Sequence, residues 1–255
     1  MIIEVYGPPG AGKTTFARAL AARLHERGNI TAIRLSYRPA EQPAGLNACA
    51  ATGKRKQNPV IQRVLLPIVE MLEMARHPVA NSYHVMTALH LLRLLPPAKF
   101  FSSIKELQYL SRLSHSWHLQ FGFGHLVLFD QAFVQAVISL ALLAGTEDDA
   151  LIANALDYAP RSDVLIRLDA PLELLEARLN NRKRLQGTIE QLFETDLKTN
   201  VASTAIIDRV HYLLLERGRA VLRASSLDQC SLDKSVEMVA QNVISKFKAE
   251  FRGTA

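Results

Sequence analysis

The stretch Gly7-Pro8-Pro9-Gly10-Ala11-Gly12-Lys13-Thr14-Thr15 lies between a short apolar run, Ile2-Ile3-Glu4-Val5-Tyr6, and a segment of helical periodicity. Glycine and proline both oppose regular structure, so the chain must turn here. The spacing is G-x-x-x-x-G-K-[ST]. Gly7, Gly10 and Gly12 let the backbone wrap closely, so that its N–H groups converge on one point. A helix starting near Lys13 adds the positive end of its dipole at that point. A nest of this kind, completed by an ammonium and a hydroxyl, suits the tail of a nucleoside triphosphate. Lys13 is expected to reach the β- and γ-phosphates, and the Thr14 hydroxyl to join the coordination shell of Mg²⁺. Residues Gly7, Pro8, Pro9, Gly10, Ala11, Gly12, Lys13, Thr14 and Thr15 are therefore expected to cradle ATP with Mg²⁺.

Apolar runs at 2–6, 30–35, 125–129, 164–168 and 220–224 read as strands. Between them the periodicity turns helical. Phe16, Leu20 and Leu24 recur every four residues, and Gly28-Asn29 ends that helix. A loop rich in Pro, Gly and Ala follows the second strand. Residues 59–118 are leucine-rich and predict helices at 59–77, 80–95 and 101–118, split by His77-Pro78 and Pro96-Pro97. Further helices are expected at 131–144, 171–184, 188–198, 201–217 and 232–247. Alternating strands and helices predict an α/β architecture, a parallel sheet covered on both faces. The chain has no internal repeat or low-complexity linker, so 1–255 is expected to be one domain with a helical insertion at about 59–118.

With 255 residues, 49% of them hydrophobic, the chain can bury a sizeable core and is not of disordered composition. A net charge of +6 suits anionic partners without choosing among them. Cys49 and Cys230 are the only cysteines, which suggests no disulfide framework and predicts a reducing, cytoplasmic setting. The most apolar window, Leu126 to Gly145, is long enough to span a bilayer, but Asp130, Gln131 and Gln135 interrupt it. A buried strand followed by a buried helix fits better, so no membrane association is expected. The basic runs at 54–56 and 246–252 lack interleaved aromatics, and nucleic acid is not an expected partner. His115, His118 and His125 surround Trp117; metal binding, a pocket wall and plain core packing are all open to them.

Two further elements suit phosphoryl chemistry. Leu126-Val127-Leu128-Phe129-Asp130 puts a carboxylate at the end of an apolar strand, where ligands of parallel sheets sit. Asp130 could hold Mg²⁺ through water, take a proton from an acceptor hydroxyl, or cap the following helix. From Arg167 to Arg184, Leu172, Leu175 and Leu179 form an apolar stripe, with Arg178 and Arg182 together on another face. These arginines suit either a clamp on transferring phosphoryl charge or a solvated basic helix end.

The segments at 7–15, 126–131 and 168–184, followed by the closing strand and helix from Ala220, together resemble the nucleoside and nucleotide kinase branch of the P-loop proteins, thymidylate kinases in particular. The resemblance implies a three-layer P-loop NTPase fold whose five-stranded parallel sheet has the order 2-3-1-4-5. It implies a lid at about 178–187 and adenine near the loop around Ala224 to Leu227. It also implies ATP- and Mg²⁺-dependent phosphoryl transfer to a small-molecule acceptor, a nucleoside or nucleoside monophosphate, with Lys13, Asp130, Arg178 and Arg182 as catalytic residues and Thr14 and Asp130 at the metal. Thymidylate kinases commonly carry Asp-Arg after the third strand, where this chain has Asp130-Gln131. They also carry an acidic residue with proline after the second strand, where this chain has Arg38-Pro39 with only Glu41 nearby; Arg38 is open to meeting an anionic acceptor or to being a surface arginine. Two alternatives stay open: a kinase of a non-nucleotide hydroxyl compound, and an ATP-dependent switch or assembly protein with no small-molecule acceptor. A homodimer is left open as the assembly state.

Overall fold

Ile2–Tyr6 is buried at every position, as a strand covered on both faces must be, and forms β1. A computed structural model describes residues 1–35, 78–119, 125–185 and 197–252. Among these, β1 is followed by α1 (Lys13–Gly28), β2 (Ala32–Leu35), α2 (Pro78–Leu94), α3 (Phe100–Leu119), β3 (Leu126–Phe129), α4 (Phe133–Ala144) and α5 (Asp149–Tyr158). The chain continues through β4 (Val164–Asp169), α6 (Leu172–Leu185), α7 (Leu197–Glu216), β5 (Val221–Ser225) and α8 (Gln229–Arg252). The five strands form one sheet in the order β2-β3-β1-β4-β5, the order that the resemblance implies. All pairings are parallel; Glu4 lies beside Phe129 of β3, and Tyr6 beside Arg167 of β4.

The period-2 alternation of β1 separates two cores. Ile2 and Tyr6 join Leu91, Leu110, Trp117, Phe133, Leu156 and Val210, from α2, α3, α4, α5 and α7. Ile3 and Val5 join Phe16, Leu20, Val236 and Val239, from α1 and α8. The result is a three-layer P-loop NTPase fold with helices on either side of the sheet. Because every strand runs the same way, the carboxyl ends of β1, β3 and β5 lie along one edge, with β1 and β3 adjacent. That adjacency brings Asp130 to the loop after Tyr6.

Element bounds differ from expectation where a cap decides them. Asn29, at φ 49°, takes the left-handed position that ends α1; its N–H donates to the His25 carbonyl, and the N–H of Ile30 to that of Leu24. The last helix starts at Gln229 rather than 232, because Asp228 Oδ1 accepts from Ser231 N–H. Helix α5 was not expected from the sequence. Asp148 starts it by accepting from the N–H groups of Ala150 and Leu151, an N-cap worth about 1 kcal/mol. The helix expected at 59–77, and most of that at 188–198, fall outside the described residues. Among the described residues, no helix is long and apolar enough to cross a membrane.

Candidate active site

At the turn after β1, Gly7, Gly10 and Gly12 all have positive φ (148°, 84° and 89°), which side-chain-bearing residues rarely adopt. Gly12 is the N-cap of α1 and supplies no side-chain cap. The first amides of α1 therefore have no side-chain acceptor at their cap, and a helix start of this kind suits an anion. Lys13 is almost fully buried, and its ammonium donates to the carbonyls of Gly7 (2.6 Å) and Pro8 (3.0 Å). Ala11 N–H closes the turn onto the Pro8 carbonyl. A cavity of about 180 Å³ opens here, lined by Gly10, Gly12, Lys13, Thr14, Arg178 and Leu179, with the exposed Thr15 at its rim. A wider depression of about 580 Å³ lies between α1 and α8. There Arg23 is already paired with Glu237, at 2.6 Å, and no element converges on it as the glycine turn does on the smaller cavity.

Asp130, only 1% exposed, closes the other side of the turn. Its Oδ2 accepts from the Thr14 hydroxyl at 3.1 Å. Asp130 does not cap the next helix. The N-cap of α4 is Ala132, which has no side-chain bond, and the cap comes from another strand: Glu4 Oε1 accepts from Val134 N–H at 2.6 Å. Next to it, Gln135 Oε1 accepts from Gly7 N–H at 3.1 Å.

Burial pushes the Glu4 carboxyl up to about 7, against the opposing pull of the Val134 amide, the Arg219 guanidinium and the Gln135 amide. The folded protein thus holds this proton to about pH 7, while the unfolded chain releases it near 4.5. Folding is favoured below the lower value, and the advantage is lost as pH rises through the upper one, an effect of roughly 3 kcal/mol. Urea titrations at pH 5 and pH 8 are expected to show a smaller loss of stability in Glu4→Gln than in the parent chain. Glu106 on α3, also raised to about 7 by burial, titrates in both proteins, so the difference isolates Glu4. An identical loss in both would contradict this assignment.

Arg178, on α6, reaches across the cavity. Its Nη1 donates to the Gly10 carbonyl at 3.2 Å, and its Nη2 to the carbonyls of Ser226 (2.6 Å) and Leu227 (2.8 Å). The turn after β1 and the turn after β5 are thereby tied through one guanidinium. Ser226 also limits the cavity: a Cβ on Gly12 would lie 2.9 Å from its hydroxyl. Arg167, at the start of the arginine-rich segment, is not part of this constellation; it is held by Asp169 and by Asp208 of α7. The Arg182 side chain and all of Arg38 lie outside the described residues. Trp117 packs in the core, stacked on Phe129 at 5.1 Å and edge-on to Phe133 at 5.3 Å. Among the described residues, no group of three or more His, Cys, Asp or Glu could hold a metal ion.

The structure thus brings Gly7 to Thr15, Asp130 and Arg178 together. Sequence reasoning missed Glu4 and Gln135. Glu4 carried a signal, a lone carboxylate in a strand otherwise apolar on both faces. Gln135 carried none, since its partner is a main-chain amide more than a hundred residues away.

The sheet order and the glycine turn define a P-loop fold. The sequence profile of the ATPase family associated with various cellular activities (AAA) matches residues 3–95, which include this turn. The chain is similar to thymidylate kinases: it is 30% identical to that of Xanthomonas campestris pv. campestris (strain B100) over 197 residues, 76% of this chain and 65% of the relative. It is 31% identical to that of Xanthomonas euvesicatoria pv. vesicatoria (strain 85-10), covering 66% of it. The chain thus spans about 65% of the length of these curated relatives. A solved structure, deoxyadenosine kinase from M. mycoides with bound dCTP, aligns over 96% of this chain and 100% of its own, with 12% identity and a TM-score of 0.46.

Proposed function

We propose that this protein is a P-loop kinase that transfers the γ-phosphoryl group of ATP to a small-molecule acceptor, a nucleoside or nucleoside monophosphate, in a thymidylate kinase-like reaction. The observation that carries this reading is the placement of the buried Lys13 ammonium and the Thr14–Asp130 pair around one turn of main-chain amides, in a chain similar to thymidylate kinases. The amides at the start of α1 would bind phosphate oxygens. Lys13 would offset the charge of the β- and γ-phosphates, and Asp130 would orient the acceptor or the metal. The oxygens of Thr14 and Asp130, 3.1 Å apart, are the hard donors that Mg²⁺ prefers, so these residues suit that ion. Bound there, Mg²⁺ would neutralise developing phosphate charge. Arg178 and Arg182 are proposed to offset phosphoryl charge together with Lys13, and Arg38 to meet the acceptor. The whole of 1–255 acts as one domain in this reading, with its lid at about 178–187, and a cytoplasmic site of action accords with the nucleotide substrates.

The test is ADP formation from Mg·ATP with dTMP, other nucleoside monophosphates, nucleosides and small alcohols, each against a control without acceptor. A nucleoside or nucleoside monophosphate is expected to raise the rate at least about tenfold. A rate that is the same with every acceptor as with water alone would overturn the kinase reading. Gln131, standing where thymidylate kinases commonly carry arginine, favours one second reading, that the acceptor is a non-nucleotide hydroxyl compound; stimulation by an alcohol alone would select it.

A further inference from the structure

Three hydrogen bonds lace the segment 4–14 to the segment 130–135. Glu4 Oε1 accepts from Val134 N–H, Gln135 Oε1 from Gly7 N–H, and Asp130 Oδ2 from the Thr14 hydroxyl. The outer two have evident reasons: one caps a helix, and the other sits at the candidate metal position. The middle bond fixes the first peptide of the glycine turn. With a φ of 148° at Gly7, the chain leaves the strand direction between the Tyr6–Gly7 peptide, which carries the bonded N–H, and the Gly7–Pro8 peptide, which carries the carbonyl. The N–H of Gly7 is held by Gln135, and its C=O accepts from the Lys13 ammonium at 2.6 Å. One residue therefore carries a side-chain constraint on one side and the candidate catalytic cation on the other. Gln135 in turn stands in the first turn of α4, whose start is pinned to β1 through Glu4.

We infer that Gln135 is a positioning residue for the phosphate-binding turn: by accepting from Gly7 N–H it fixes the peptide that leads into Gly7, the residue whose carbonyl seats Lys13, and it couples that turn to the Asp130 segment. Gln135 touches no phosphate in this scheme and acts only through Gly7. The inference rests on this turn being the phosphate cradle of the proposed kinase, but its first test needs no nucleotide. Amide hydrogen exchange is measured across residues 7–14 in the ligand-free full chain. Gln135→Met keeps the length and volume and removes the acceptor; exchange in this segment should rise about tenfold while that of β4 and β5 is unchanged. Gln135→Glu keeps an acceptor oxygen and should retain the protection. Gln135→Asn, polar but one methylene too short, should behave like Gln135→Met and serves if that variant does not fold. Binding of Mg²⁺ with a non-hydrolysable ATP analogue, by calorimetry, should weaken about tenfold in the variant that loses protection. Unchanged exchange in Gln135→Met or Gln135→Asn, or an equal rise in Gln135→Glu, overturns the inference. A parent chain whose turn responds as stated but binds no ATP analogue leaves the positioning role standing and overturns the kinase reading instead.

Discussion

A Lys13→Ala variant is expected to fold and to lose acceptor phosphorylation by about 10²- to 10³-fold, the usual cost of removing one preorganised group that offsets transition-state charge. The ammonium is almost wholly buried, so its field is little screened by water. It already rests on the Gly7 and Pro8 carbonyls, at the mouth of the small cavity where the phosphates would enter. Alanine leaves the amide nest intact, so residual binding of the nucleotide should survive better than turnover. Lys13→Arg should not restore the rate, because a planar guanidinium needs more room than an ammonium and presents its donors in a fixed fork. Steady-state rates for the three proteins at saturating ATP are the measurement. Turnover in Lys13→Ala within a few-fold of the parent would remove Lys13 from the chemistry.

Gly7→Ala should be the most damaging alanine substitution among the described glycines. A Cβ at this position would lie 2.4 Å from the carbonyl oxygen of Leu168, and the backbone conformation is already one that alanine resists. Leu168 belongs to β4, which pairs with β1 up to Tyr6 and Arg167, so its carbonyl cannot retreat without opening the sheet. Strain and overpacking together should cost at least about 3 kcal/mol and abolish ATP binding. Gly145→Ala is the control. It too has positive φ, 63°, but nothing lies within 4 Å of the added carbon, so only about 1–2 kcal/mol of conformational strain applies. Thermal unfolding of the two variants side by side should separate them clearly. Equal losses would mean that the contact with Leu168 is not what demands glycine at position 7.

The contrast between these two glycines shows what could be read before the structure and what could not. The turn at 7–14 declares itself because its chemistry is local: the glycines, the lysine and the hydroxyl lie within eight consecutive residues. The five strands are equally legible, since a parallel sheet buried on both faces writes itself as short apolar runs. Their order came only through the resemblance to thymidylate kinases. Helix α5 escaped because a ten-residue amphipathic segment carries a weak period, although Asp148 at its head was a usable stop-and-start signal. Glu4, Gln135 and the three carbonyls around Arg178 were out of reach for another reason. Each depends on a main-chain group supplied by a distant element, and main-chain groups leave no trace in side-chain spelling. Even the face that Gly7 turns toward β4 follows from strand pairing and not from its neighbours in sequence.

The tie through Arg178 also has a bearing on biosynthesis. Its guanidinium joins Gly10 to Ser226 and Leu227, which are added more than two hundred codons later. A nascent chain released from the ribosomal tunnel only as far as β4 would hold a glycine turn whose outer wall does not yet exist. Tight capture of a nucleotide should therefore begin abruptly, once β5 has emerged and slotted beside β4, and not grow gradually as synthesis proceeds.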